Sequence, residues 1–366
     1  MNLVRLLKIA LTGGALLLAL ALPTAASAAT VSVEVTKGTY QSEEANFGNL
    51  RFTAAPGEDN AVTVRTVTAE HGVHLILSVT DRGAPLTAGP RCSVNPDGIT
   101  AWCDVPQPRG PDYTPGFGKG QIPVPGSRWV GLMTIDLGDG RNSFTDERFG
   151  AEHDSSFAAT VTAGAGADRI ATGGGADLID PGAGSDVVQT NDGADRVLMT
   201  AAPDGPDVYE LGLDHYPAGV GADEVDYNGR SAPVEWDAST GLVAGEGDQL
   251  TGVGNILGGS GDDVLRGNEF EDFLVGGPGN DLLVGGSNWD VLLGGDGDDE
   301  LRGGGDPDIL RAGSGDDTAY GGRDHDVIKC GDGWDQALRI DGDRQGRCEV
   351  QRFLDGSGLD SLLPSS

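Results

Sequence analysis

The sequence predicts an all-β chain organised around a solenoid of short strands, and three observations predict it. From Gly258 the chain divides into nine consecutive nonapeptides without an insertion, running to Leu338. In every unit the sixth position is aspartate and the eighth is aliphatic or alanine. The composition agrees: 61 of 366 residues are glycine and only 5% are aromatic. That is too much glycine for a helical bundle, and it lacks the third-residue period of collagen. A fixed short period is the mark of a solenoid, in which each unit touches its neighbours.

The charge excludes other classes. With 57 acidic against 24 basic residues, the net charge is −33. A chain this acidic is repelled by phosphate backbones and anionic membrane surfaces, so no nucleic-acid partner is expected.

Residues 1–28 read as a secretory signal peptide. Arg5 and Lys8 precede an apolar stretch from Ile9 to Leu22, and Ala26-Ser27-Ala28 fits a small-residue cleavage site. The stretch is short of the roughly 20 residues a membrane span needs. A secreted, extracellular protein without a membrane span is therefore expected. Its even cysteine count suits disulfides outside the cytoplasm. Cys92, Cys103, Cys330 and Cys348 allow three pairings on paper. The local pairs Cys92–Cys103 and Cys330–Cys348 are favoured because each brackets a short loop.

Residues 29–136 contain alternating runs such as Val31-Ser32-Val33-Glu34-Val35 and Val62-Thr63-Val64-Arg65, separated by Pro/Gly turns. They predict an N-terminal β-rich region. Residues 137–198 form a first repeat block. Asp168, Asp177, Asp186 and Asp195 hold its sixth positions, and Leu137–Phe144 is a decayed copy with Asn142 at the aspartate place. Residues 199–257 interrupt the register and predict an irregular insert, with an isolated copy around Asp223.

Residues 258–338 are the main block. Its aspartates are Asp263, Asp272, Asp281, Asp290, Asp299, Asp308, Asp317, Asp326 and Asp335. Odd units, counted from Gly258, keep glycine at position four: Gly261, Gly279, Gly297, Gly315 and Gly333. Even units carry Phe270, Asn288, Asp306 and Asp324 there. The full period is therefore 18 residues, as a two-edged coil requires. Residues 339–366 are expected to cap the last coil.

These units resemble the RTX, or haemolysin-type, calcium-binding nonapeptide repeat GGxGxDxUx. The N-terminal pattern Ala54-Ala55-Pro56-Gly57-Glu58-Asp59-Asn60 with Val79-Thr80-Asp81-Arg82-Gly83-Ala84-Pro85 resembles secreted actinobacterial-type RTX-repeat proteins. The resemblance implies a calcium-bound parallel β-roll, with Ca2+ held in the turns by the sixth-position aspartates. Calcium takes six to eight hard oxygens, and glycine turns bring carbonyls close together. About seven ions in the main block and about two in the first block are implied, roughly nine sites. Asn and Asp tolerate left-handed backbone and Phe270 does not, so the weakest site is expected beside Phe270 and stronger sites on the odd edge.

Residues 258–338 carry 16 Asp and 3 Glu against 5 Arg and Lys, a net charge of −14. Without cations the aligned carboxylates repel, so the chain is expected to fold after export by binding calcium. On the even face Phe273, Val291, Ile309 and Val327, with Val275 and Leu293, form an outward apolar row, which suggests a protein or polysaccharide partner.

No catalytic sequence motif is present, although the many acidic residues would allow a glycosidase-like carboxylate pair. No HExxH or GxSxG sequence occurs, and the five histidines are scattered. The leading reading is a calcium-binding structural or adhesive protein without catalysis. The alternative is an extracellular hydrolase or lyase carrying the repeats as a folding module, with residues 29–150 the only room for an active region.

Overall fold

A computed structural model describes residues 28–40, 43–70, 74–106, 133–147, 158–191, 193–201, 204–212, 223–339, 344–346 and 350–353. The expected signal peptide, apart from Ala28, lies outside these residues. Every regular element among them is a β-strand, and none of them forms a helix long and apolar enough to cross a membrane.

Each nonapeptide contributes one turn and one strand, and successive strands go to opposite sheets. Strand Phe273–Pro278 therefore pairs in parallel with Val291–Asp296, and Leu282–Gly286 with Glu300–Gly304. Partners are 18 residues apart, as in Leu274↔Leu292 and Leu283↔Leu301. One sheet has 14 strands and runs from Leu86–Ala88 to Arg344–Gly346. The other carries the alternate strands of the same coils.

The period of two along a strand sends the eighth position inward. Leu265, Leu274, Leu283, Leu292, Leu301 and Leu310 are wholly buried, followed by Ala319, Ile328 and Ala337. These residues join one core that continues to Ala29 at the other end of the described chain. The outward row Phe273↔Val291↔Ile309↔Val327 is in register across four strands. Each member is already half-buried by its neighbours.

The turns show how the sequence chooses its backbone. Asn288, Asp306 and Asp324 have φ of 69°, 68° and 70°, the left-handed geometry expected for them. Their odd-edge counterparts Gly279, Gly297, Gly315 and Gly333 reach 132° to 149°, which only glycine adopts without strain. Phe270 stays out of the left-handed region, and so does Gly261. The first turn on each edge of the main block thus differs from those that follow.

The N-terminal strands continue both sheets. Glu43–Thr53 pairs in parallel with Met133–Asp136, and Ala61–Glu70 with Ser143–Asp146. Beyond them the chain folds back in antiparallel hairpins, Ala29–Tyr40 on Glu43–Thr53 and Ala61–Glu70 on His74–Asp81. Cys92 and Cys103 face each other on an antiparallel pair and form a disulfide. Cys330 is also disulfide-bonded; its expected partner, Cys348, lies outside the described residues.

The insert changes the strand count. Val208–Glu210 pairs with Gln249–Thr251, which is antiparallel to Leu242–Val243. Leu242–Val243 is in turn antiparallel to Glu235–Asp237, and that strand pairs in parallel with Val264–Arg266. One sheet therefore has three strands here where the other has only Asn255–Leu257. Two extra strands at about 4.8 Å each need a thicker filling. Tyr209, Tyr227 and Trp236 supply it, all nearly or fully buried.

Candidate metal centre

The sixth-position aspartates stack along the two edges and are linked to one another. On the odd edge the N–H of Asp263 donates to Asp281 Oδ1 (2.7 Å), Asp281 to Asp299 (2.9 Å), Asp299 to Asp317 (2.9 Å) and Asp317 to Asp335 (3.1 Å). On the even edge Asp272 donates to Asp290, Asp290 to Asp308, and Asp308 to Asp326, each across 2.9 Å. The first block repeats this, with Asp168 donating to Asp186 and Asp177 to Asp195, both at 2.8 Å. The thirteen aspartates picked out by spacing are brought together in two files, every one at most 2% exposed.

Three further members follow: Asp223, which is the isolated copy, and Asp207 and Asp248, which escaped the nine-residue frame. Asp186 donates to Asp207 Oδ1, Asp195 to Asp223 and Asp207 to Asp248. These contacts span 21, 28 and 41 residues. The signal that could have found them is the aspartate followed two places later by a core residue, as in Asp207-Val208-Tyr209 and Asp248-Gln249-Leu250.

Oδ1 of each accepting carboxylate in these pairs is thus accounted for, and in most of them Oδ2 is not. In Asp186, Asp281, Asp290, Asp299, Asp308, Asp317 and Asp335 the buried Oδ2 meets no hydrogen-bond donor. A buried carboxylate oxygen without a donor is costly unless a cation faces it. Asn142, at the same place in the decayed copy, shows the contrast. Its Oδ1 accepts from the N–H of Asn60 at 3.0 Å. Its Nδ2 donates to the carbonyls of Gly138 (2.9 Å) and Gly140 (3.4 Å). The amide supplies its own donor to the turn oxygens, whereas aspartate adds one more oxygen. Asp263 and Asp272, in the two atypical first turns, take N–H bonds on Oδ2 from Gly259 (2.7 Å) and Asn268 (2.9 Å).

First-position glycines keep these pockets open. A Cβ on Gly303 would lie 2.3 Å from both Asp308 Oδ2 and the Gly321 carbonyl. A Cβ on Gly294 would lie 2.3 Å from Asp299 Oδ2 and 2.5 Å from the Ala312 carbonyl. In these two turns a Cβ would fill the space between carboxylate and carbonyl.

Burial raises six of these acids, and neighbouring carboxylates raise them further. Asp290 is pushed up to about 9 and Asp308 to about 8. Asp299 and Asp186 reach about 7, and Asp281 and Asp317 about 6. Among the described residues no three His, Cys, Asp or Glu side chains converge into one cluster. The donor set is one carboxylate per turn beside backbone carbonyls, all hard oxygens, which suits calcium and not a soft metal.

A second, exposed ladder runs along the odd edge at position five, in the opposite sense. Asn280 N–H donates to Asp262 Oδ1, Asp298 to Asn280, Asp316 to Asp298, each at 2.8 Å, and Trp334 to Asp316 at 2.9 Å. It ties successive turns together on the solvent side.

Residues 155–188, 257–292, 266–301 and 293–328 match the RTX calcium-binding nonapeptide repeat in four copies. No curated protein matches the chain. The matched segments are calcium-binding repeats, and the all-strand, largely parallel architecture around them is that of a β-roll.

Proposed function

We propose that the protein is a secreted β-roll that folds by taking up calcium in its turns, with a structural or adhesive role and no catalysis. The carrying observation is the buried Oδ2 that lacks a donor in turn after turn, set against Asn142, whose amide meets the same need without an ion. Asp281, Asp299, Asp317 and Asp335 on the odd edge and Asp290, Asp308 and Asp326 on the even edge would hold the ions. Asp168, Asp177, Asp186 and Asp195, together with Asp207, Asp223 and Asp248, would serve the coils that precede the main block. Asp263 and Asp272 close their own turns by backbone N–H bonds and need an ion least.

Bound calcium supplies positive charge between oxygens that otherwise face one another. The chain does the rest. Oδ1 fixes each carboxylate to the preceding coil, the glycines hold the carbonyls in place, and the inward leucines lock the register. In a low-calcium cytoplasm the net −14 of residues 258–338 opposes assembly. Outside, extracellular calcium modules bind at about 0.1–1 mM, so export and folding would coincide. Circular dichroism of the mature chain tests this. At neutral pH calcium should strengthen the β signal and EDTA should remove that gain; an equal signal in EDTA overturns the proposal.

A further inference from the structure

Both aspartate files stop at the same coil. On the odd edge the file reaches Asp248 and resumes at Asp263, whose Oδ1 accepts from Val234 rather than from another aspartate. On the even edge Asp223 is followed by Gly254, which has no side chain, and then by Asp272: Asn255 N–H bonds the Asp223 carbonyl, and Phe273 N–H the Gly254 carbonyl.

A side-chain cation lies in the gap. Arg230 is 1% exposed. Its guanidinium pairs with Glu246, itself nearly buried. It also donates to the Thr200 carbonyl from Nε (3.2 Å) and Nη2 (3.1 Å) and stacks 5.2 Å from the Tyr227 ring centroid. These partners sit in neighbouring turns of the odd edge: Thr200 before Val208–Glu210, Glu246 before Gln249–Thr251, and Arg230 before Glu235–Asp237. The Arg230 carbonyl in turn receives the Ser260 N–H at 2.8 Å, which seats the first turn of the main block. The guanidinium acts on the carboxylates at both ends of the gap, opposing the rise that burial imposes on Asp248 and Asp263.

We infer that Arg230 is a resident cation that closes this coil without calcium, and that it divides the roll into two arms that load calcium independently. The inference rests on the calcium reading above and adds its regulation. An aspartate file transmits order because each carboxylate bonds the backbone of the next coil, so a solenoid folds by nearest-neighbour propagation. Where the file is broken and the coil is held by an ion pair, a cation–π contact and buried aromatic rings, neither arm needs the other to be loaded. The first arm, Asp168 to Asp248, is closed at its far end by Asn142, which carries its own donor. The second runs from Asp263 to Asp335.

Hydrogen exchange on the full mature chain tests this. In EDTA the amides of Glu235–Asp237 and Gln249–Thr251 should stay protected while those of Val187–Gln189 and Val291–Asp296 exchange freely. During calcium titration the double variant Asp290→Asn with Asp308→Asn should move the protection midpoint of Val291–Asp296 by at least about tenfold and leave that of Val187–Gln189 in place. Arg230→Met with Glu246→Gln removes both charges and keeps the volume, and should make the central coil calcium-dependent. Should that variant fail to fold, the aspartate double variant decides alone. Both arms shifting together, or the central coil opening with them in EDTA, overturns the independence of the arms and spares the calcium reading. Calcium protecting neither arm overturns both.

Discussion

Asp272 donates its backbone N–H to Asp290 Oδ1 across 2.9 Å, while Asp290 Oδ2, fully buried, finds no donor. One carboxylate therefore does two jobs. One oxygen sets the spacing of the coils and the other creates a demand for positive charge.

Asparagine should separate these jobs. In Asp290→Asn, Oδ1 can still accept from Asp272 and Nδ2 can donate to turn carbonyls as it does in Asn142. The variant is expected to bind at least one calcium fewer by titration calorimetry. At tenfold the dissociation constant each lost ion removes about 1.4 kcal/mol of calcium-dependent stability. In EDTA the same variant should be more ordered than Asp290→Ala, which leaves the Asp272 N–H unpaired.

The calcium-free protein should favour acid. Its folded carboxylates are raised, to about 9 at Asp290, 8 at Asp308 and 7 at Asp299. The unfolded value is about 3.9. A raised acid stabilises the fold fully below its unfolded pKa and loses that contribution as pH rises through the folded one. In EDTA the β signal should therefore fall between about pH 6 and 9. With calcium the trend reverses, because protons compete for Oδ2, and β structure should be lost on acidification instead. Circular dichroism against pH, with and without calcium, reads both limbs.

First-position glycines should resist substitution. Gly303→Ala places a methyl 2.3 Å from Asp308 Oδ2 and from the Gly321 carbonyl, and the latter is backbone. Overpacking of this kind costs about 1–3 kcal/mol, and calcium affinity should fall with it. Ala312 holds the corresponding place before Asp317. Ala312→Gly should tighten calcium binding there, measured as a lower midpoint in the titration.

Core loss should act on the loaded and unloaded chain differently. Leu292 is wholly buried between Leu274 and Leu310. Leu292→Ala should cost about 2–5 kcal/mol in calcium, read by denaturant unfolding. In EDTA, where the second arm is not assembled, it should change little.

The nine-residue frame was enough to place Asp263 through Asp335 on two edges and Leu265 through Leu310 inside. It also foresaw left-handed Asn288, Asp306 and Asp324, because a local period converts directly into a coil. Asp207 and Asp248 stayed hidden because the frame is lost where residues loop out, and loop closure grows only slowly in cost with length, so the register of the edge survives an insertion that the spacing does not. The antiparallel reversal at Glu235–Asp237, Leu242–Val243 and Gln249–Thr251 was hidden for the same reason.

Period, charge and glycine placement belong to the chain alone, since each repeat carries the whole instruction for its turn and strand. Which carboxylate oxygen holds the neighbouring coil and which awaits a cation arose only on folding. So did the meeting of Arg230, Glu246 and Thr200. These relations join residues up to 41 positions apart, and only stacking brings them within hydrogen-bonding reach.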